Sequence, residues 1–149
     1  MGMHMPALIA LGRFLFSILF IYSGASKLLD LPATTQAAGK FVVPEMLATY
    51  TTQLEQAAGM PFAQMLALAA GGIELLCGLL IALNFGARFC ALVLIVFVAI
   101  GTYYFHDFWN QTGADAQANL AVALKSLSLV GGLLIIAGIG RGGAASGGA

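Results

Sequence analysis

Six charged or titratable side chains lie inside strongly apolar stretches of the sequence or at the ends of those stretches: Arg13, Lys27, Glu74, His106, Asp107 and Lys125. An Asp, Lys or Arg at the centre of a membrane-spanning helix costs roughly 2.5 to 3.5 kcal/mol. Each of these side chains therefore needs either a partner that offsets its charge or a function that requires it there.

Arg13 and Glu74 are candidates for such a pair. Arg13 lies seven residues into the first apolar segment, roughly 10 Å from its start. Glu74 lies nine residues before the end of the second segment, roughly 13 Å from that end. Because consecutive spans run in opposite directions, we predict a structural ion pair between Arg13 and Glu74 within the membrane.

A second group of polar and aromatic residues lies towards the other side of the membrane. It contains Lys27, His106 and Lys125, with Asn119 and Trp109 nearby. Two cations, an imidazole and aromatic walls suit an anionic or quinol-like ring. Simpler explanations stay open, because lysines extend to lipid headgroups, Trp109 is typical of an aromatic belt and His106 suits an interfacial loop.

Other kinds of site find little support in the sequence. Cys77 and Cys90 lie in apolar runs without a CxxC motif, and we expect them to be small buried hydrophobic residues. The cysteines and histidines lack metal-ligand spacing, so no metal site is predicted. We also expect no covalently bound cofactor, and His4 and His106 are predicted on opposite sides of the membrane, which excludes a haem held between them.

The composition identifies the solvent of the folded chain as lipid. Of 149 residues, 60% are hydrophobic and only 8% are charged, and the net charge is zero. The mean hydropathy is +0.96. A soluble domain of this size cannot bury so much apolar surface. A soluble enzyme, a nucleic-acid-binding protein and a disordered module are therefore excluded.

Four apolar segments are long enough to cross a bilayer as helices, at residues 6–29, 61–83, 86–105 and 118–139. The predicted fold is an all-α, integral membrane four-helix bundle. Between the first two spans, residues 44–58 have apolar side chains at helical spacing and predict a short extramembrane helix. The Gly-rich tail, residues 141–149, is expected to be flexible.

Orientation and internal symmetry can also be predicted from the sequence. Arg13, Arg88 and Arg141 fall on one side of a four-span bundle, which favours cytoplasmic termini by the positive-inside rule. GGIELLCG at 71–78 resembles GGLLIIAG at 131–138, and both lie in spans of the same direction. The bundle is therefore either a pair of duplicated, parallel hairpins or a set of helices that independently use small residues for close packing.

The polar residues also form three motifs: Arg13 with Phe20-x-x-Ser23-Gly24-x-x-Lys27; Glu74-Leu75-x-x-Gly78; and Phe105-His106-Asp107-Phe108-Trp109 followed by Asn119, Lys125 and Gly131-Gly132. In this combination the chain resembles the DoxX family over residues 8–140. The segment 33–59 carries no motif of that family. The resemblance implies a single domain in the bacterial inner membrane, and members are similar to the membrane subunit of a thiosulfate:quinone oxidoreductase or are linked to quinone and oxidative stress.

The leading hypothesis from this resemblance is a membrane subunit that binds a quinone or another small aromatic and works with a partner protein. His106 would exchange a proton with the ring, and Lys27 and Lys125 would stabilise an anionic oxygen, with Asn119 and Trp109 beside them. Whether the chain itself catalyses a reaction stays open. The alternatives are a structural accessory subunit of a larger respiratory or photosynthetic complex, or a path for small-molecule export lined by the intramembrane charges.

Overall fold

The computed structural model describes residues 4–41 and 43–139, and every regular element in these ranges is helical. The six α-helices are α1 (His4–Leu29), α2 (Leu31–Ala38), α3 (Ala48–Ala58), α4 (Phe62–Ala82), α5 (Ala87–Phe105) and α6 (Gly113–Ile139). Two 3₁₀ turns, Glu45–Leu47 and Phe108–Asn110, precede α3 and α6. The predicted flexible tail, residues 141–149, lies outside the described residues.

Among the described residues, four helices are long and apolar enough to cross a membrane, namely α1, α4, α5 and α6. The prediction of an all-α bundle with four spans is confirmed. Many large apolar side chains point outwards, including Leu15 at 56% exposure and Phe89 at 71%. These faces suit lipid, whereas Ile81, Leu94 and Leu133 are fully buried between the helices.

The helices are arranged as two hairpins. Helix α1 packs along α4 and α5 packs along α6, while α4 joins the two hairpins through its contact with α5. Helices α1 and α6 pack less closely on each other than the other neighbouring spans do, and we call this the open side of the bundle. There α6 approaches α1 where Gly132 lies against Phe16. The two glycine motifs do not pack alike, because Gly71 and Gly78 are pressed against α1 whereas Gly131 and Gly138 have open space. The similarity of these motifs therefore does not reflect equivalent packing.

The connection between the first two spans is more helical than the sequence analysis predicted. The short extramembrane helix predicted at 44–58 is confirmed as a 3₁₀ turn followed by α3, which ends at Gly59 with φ of 69°. Helix α2 was not predicted. Its start is nevertheless encoded by Asp30, whose side chain accepts a hydrogen bond from the Ala33 backbone, and by Pro32 in the first turn. Helix α2 packs on α4 and covers one wall of the bundle.

Candidate functional site

The site begins where α1 and α4 come unusually close together. A Cβ atom placed on Gly24 would lie 2.4 Å from the Leu75 backbone nitrogen, and one on Gly78 would lie 3.0 Å from the Ile21 nitrogen. Only glycine permits this separation, as is common where membrane helices cross. The contact brings the polar side chains of the two helices within hydrogen-bonding range.

Glu74 of α4 accepts two hydrogen bonds from α1 at this crossing. Lys27 donates to its carboxylate and forms an ion pair, and the Ser23 hydroxyl donates to the same oxygen at 3.0 Å. Lys27 also donates to Ser23 at 2.7 Å. The Glu74 side chain is only 7% exposed, while the Lys27 side chain is 32% exposed. The pair therefore holds a buried carboxylate against a cation that is about one-third exposed.

The predicted ion pair between Arg13 and Glu74 is wrong. The facing pairs Gly24–Leu75 and Ile21–Gly78 set the antiparallel register of α1 and α4. In that register Arg13 lies about twelve residues from the level of Glu74, roughly 18 Å along the helix. The prediction assumed that the first span starts level with the end of the second, but α1 starts well before that level. Arg13 instead lines a cavity together with Asn84, which lies in the link between α4 and α5.

His106 is the first residue after α5, and a chain of side-chain amides fixes its ring. Its Nδ1 lies 2.9 Å from the Asn119 Oδ1. The Asn119 Nδ2 donates to the Asp115 carbonyl at 3.1 Å and to the Gln111 Oε1, and both of these oxygens can only accept. The Asn119 oxygen must therefore face His106. Gln111 donates in turn to Asp107 at 3.3 Å, which orients its own amide.

This chain of hydrogen bonds determines which nitrogen of His106 carries the proton. Because the Asn119 Oδ1 is an acceptor, the His106 Nδ1 must be the donor. In the neutral ring the other nitrogen, Nε2, is then an acceptor with a free lone pair. A neutral His106 held in this way can accept a hydrogen bond or a proton from a hydroxyl group, but it cannot donate from Nε2.

Lys27 and His106 line one cavity of about 400 Å³ between α1, α4, α5 and α6. Ser23, Thr102 and Ser126 add hydroxyl groups to its wall, and Glu74 is also exposed to it. The remaining lining is mainly apolar, as in small-molecule sites generally, and consists of Leu19, Phe20, Ala37, Phe97, Val98, Gly101, Phe105 and Leu129. We call this space the Lys27–His106 cavity.

A second cavity of about 580 Å³ lies beside it, between α2, α4 and α5. Lys27, Phe97 and Phe105 line both cavities, so the Lys27 side chain stands between them. Its Nζ lies 5.9 Å from the centroid of the Phe97 ring, which is cation–π range. Phe41 packs on Tyr104 with ring centroids 4.6 Å apart and closes part of the second cavity.

The structure brings together only some of the residues that were predicted to share one site. Lys27 and His106 do share a cavity, and Asn119 supports the His106 ring rather than lining the cavity. Lys125 is exposed and lines neither of the two cavities described above. Trp109 is 51% exposed, packs on Tyr103 and Phe108, and lines neither of the two cavities.

Sequence reasoning missed the part played by Ser23 and Glu74 in this site. Ser23 and Lys27 are four residues apart and so lie on one face of α1. Glu74 lies between Gly71 and Gly78, which are the glycines that α1 contacts. The signal was present in these spacings, but the register between two helices cannot be obtained from either helix alone. Cys77 and Cys90 are buried and free, as expected.

Comparison with known proteins agrees with this architecture. The chain is 28% identical over 142 residues to the inner membrane protein YphA of Escherichia coli (strain K12), which covers 95% of this chain and 89% of the relative. No solved structure matches the chain. The DoxX family model matches residues 8–107, which include Lys27, Glu74 and His106 but end before α6. The chain is therefore a multi-pass inner-membrane protein that belongs to the DoxX family.

Proposed function

We propose that the protein binds a quinol, catechol or quinone in the Lys27–His106 cavity, as the membrane subunit of a redox system. The observation that supports this most directly is that Lys27 and His106, from different helices, line one mainly apolar cavity of about 400 Å³. Ligand sites of 300 to 1,000 Å³ with a few polar groups on apolar walls are typical for small molecules. The rings of Phe20, Phe97 and Phe105 supply flat apolar surface for an aromatic ligand.

The orientation of His106 favours the hydroxylated form of the ligand. Its Nδ1 is committed to Asn119, which leaves Nε2 of the neutral ring as an acceptor for a phenolic hydroxyl. Lys27 is a donor and would hold a second oxygen of the ring. Its charge is already balanced by Glu74, so the cavity can hold the neutral ring without an uncompensated cation beside it.

Conversion of a quinol to a quinone releases two protons and two electrons. In this proposal the His106 Nε2 accepts one proton, the Glu74 carboxylate accepts the other, and an oxidised redox partner protein takes up both electrons. In the reverse reaction the same groups donate the two protons to the quinone, and the partner protein supplies the two electrons. This arrangement replaces the initial expectation of two lysines, because Lys125 does not line the cavity.

The proposal is tested by titrating the protein in lipid nanodiscs with a short-chain hydroquinone and with its quinone by calorimetry. We expect His106→Ala to weaken hydroquinone binding roughly tenfold, the effect of a lost hydrogen bond to a buried group. The double variant Lys27→Met/Glu74→Gln should weaken binding of both forms while removing the charges together. Lys125→Met is the matched control, because that lysine is exposed on a neighbouring helix.

Equal affinities for the parent, His106→Ala and the double variant would refute the proposal. So would an equal loss of binding in Lys125→Met. Parent protein that binds neither form and migrates only within a larger complex of other subunits would support the structural accessory role instead.

A further inference from the structure

Two buried polar atoms near the α4–α5 link have no hydrogen-bond partner among the described residues. They are the Nε of Arg13 and the Oδ1 of Asn84. Both residues line the same cavity of about 240 Å³, which lies between α1 and α6 on the open side of the bundle. This cavity is at the opposite end of the bundle from the Lys27–His106 cavity, and the two have no lining residue in common.

A guanidinium nitrogen and an amide oxygen without partners are costly when they are withdrawn from water. A buried donor or acceptor without a partner loses its hydrogen bonds to solvent, and the loss is larger for a charged group. Polar groups left in this way in one cavity indicate that something polar is bound there. Because the guanidinium of Arg13 is charged, an anion satisfies its Nε best, and Asn84 Oδ1 needs a hydrogen-bond donor close to that anion.

We propose that this cavity binds a phosphate group that carries a neighbouring hydrogen-bond donor, supplied by a phospholipid headgroup. The guanidinium of Arg13 matches phosphate geometry. The ammonium of phosphatidylethanolamine or a glycerol hydroxyl of phosphatidylglycerol would donate to Asn84. The choline of phosphatidylcholine has no such donor, so the two polar atoms together discriminate between lipid classes.

The walls of the cavity support a lipid as the source of the phosphate. Ile9, Ile135 and Ile139 line it and provide an apolar surface. Ile9 is 41% exposed and Ile135 is 63% exposed, so the apolar wall continues onto the outer faces of α1 and α6. Acyl chains can follow this surface out of the cavity, and basic pockets between membrane helices are known as lipid headgroup sites. A free phosphate monoester would gain nothing from these isoleucines.

The test is a lipid titration of the intact protein followed by native mass spectrometry. The probes are phosphatidylethanolamine, phosphatidylglycerol, phosphatidylcholine and inorganic phosphate. The variants are Arg13→Gln, which removes the cation, and Asn84→Gly, which removes the acceptor. Glycine is chosen because Asn84 has φ of 56°, a conformation that glycine adopts without strain. Arg88→Gln is the matched control, since Arg88 is exposed just beyond the same link.

We expect phosphatidylethanolamine and phosphatidylglycerol to bind several-fold more tightly than phosphatidylcholine. Arg13→Gln should weaken binding of all three lipids roughly tenfold, and Asn84→Gly should abolish the preference over phosphatidylcholine. Arg88→Gln should bind like the parent. The proposal is overturned if Arg13→Gln and Arg88→Gln have the same affinities, or if the parent does not distinguish phosphatidylcholine. Tight binding of inorganic phosphate that competes with every lipid would instead identify a free phosphate as the ligand and overturn the lipid assignment.

Discussion

Removal of the Lys27 charge is predicted to destabilise the protein more than removal of the Glu74 charge. Lys27→Met leaves the carboxylate of Glu74, on a side chain that is only 7% exposed, without its cation, which should cost about 3–5 kcal/mol. Glu74→Gln leaves a lysine whose side chain is 32% exposed and can extend to the headgroups. The amide that replaces the carboxylate can still accept a hydrogen bond from Ser23, so the expected cost is smaller, about 1–2 kcal/mol.

The assay is reversible unfolding in mixed micelles, with the two single variants and the double variant as a mutant cycle. The double variant should be less destabilised than the sum of the single variants, by about 1–3 kcal/mol. A parallel cycle of Arg13→Gln with Glu74→Gln should show no coupling, because these residues lie at different levels of the bundle. Additive effects of the Lys27 and Glu74 variants, or clear coupling of Arg13 with Glu74, would refute the register of α1 and α4.

Three further predictions concern packing, the His106 ring and orientation. Gly24→Ala should destabilise the protein strongly, because its Cβ would meet backbone atoms of α4. Gly72→Ala, which has open space around it, should be neutral or stabilising by about 0.5–1 kcal/mol. Thermal unfolding of the two variants checks this difference. Nitrogen NMR of the neutral His106 ring should show the proton on Nδ1 in the parent and a mixture of tautomers in Asn119→Ala, and an unchanged ring would contradict the role of Asn119. A fluorescent reporter fused to each terminus should mark both as cytoplasmic, and a periplasmic terminus would reverse the predicted orientation.

The number of membrane-spanning helices was predictable because the physical requirement for a span is simple. A span needs about 20 apolar residues and must satisfy its backbone internally, so α1, α4, α5 and α6 follow from hydropathy alone. The boundaries were less accurate, and α6 begins at Gly113 rather than at residue 118. Polar residues such as Asp115 and Gln117 made its first turns look like a loop, although both lie within α6.

The site was only partly predictable, since it depends on how the helices align with each other. Lys27 and His106 were identified because a charged or titratable group at the end of a span needs an explanation. The partner of Glu74 was assigned wrongly, because counting from the ends of two spans assumes that both ends lie at one level. Whether Lys125 faces the cavity depends on how α6 is rotated about its own axis. Apolar residues are spread around α6, so its sequence does not specify which face points into the bundle.

The Lys27–His106 cavity is proposed to hold a small aromatic ligand, and native mass spectrometry of gently extracted protein detects such a ligand as an added mass. The measurement compares the parent protein with His106→Ala and with the control Lys125→Met, each produced in and extracted from the protein's native membrane. We predict that the parent and the control carry an added mass of a quinol or quinone, and that His106→Ala loses most of it. Parent protein without such a ligand, or equal occupancy in His106→Ala, would show that the cavity does not hold an aromatic ligand through His106.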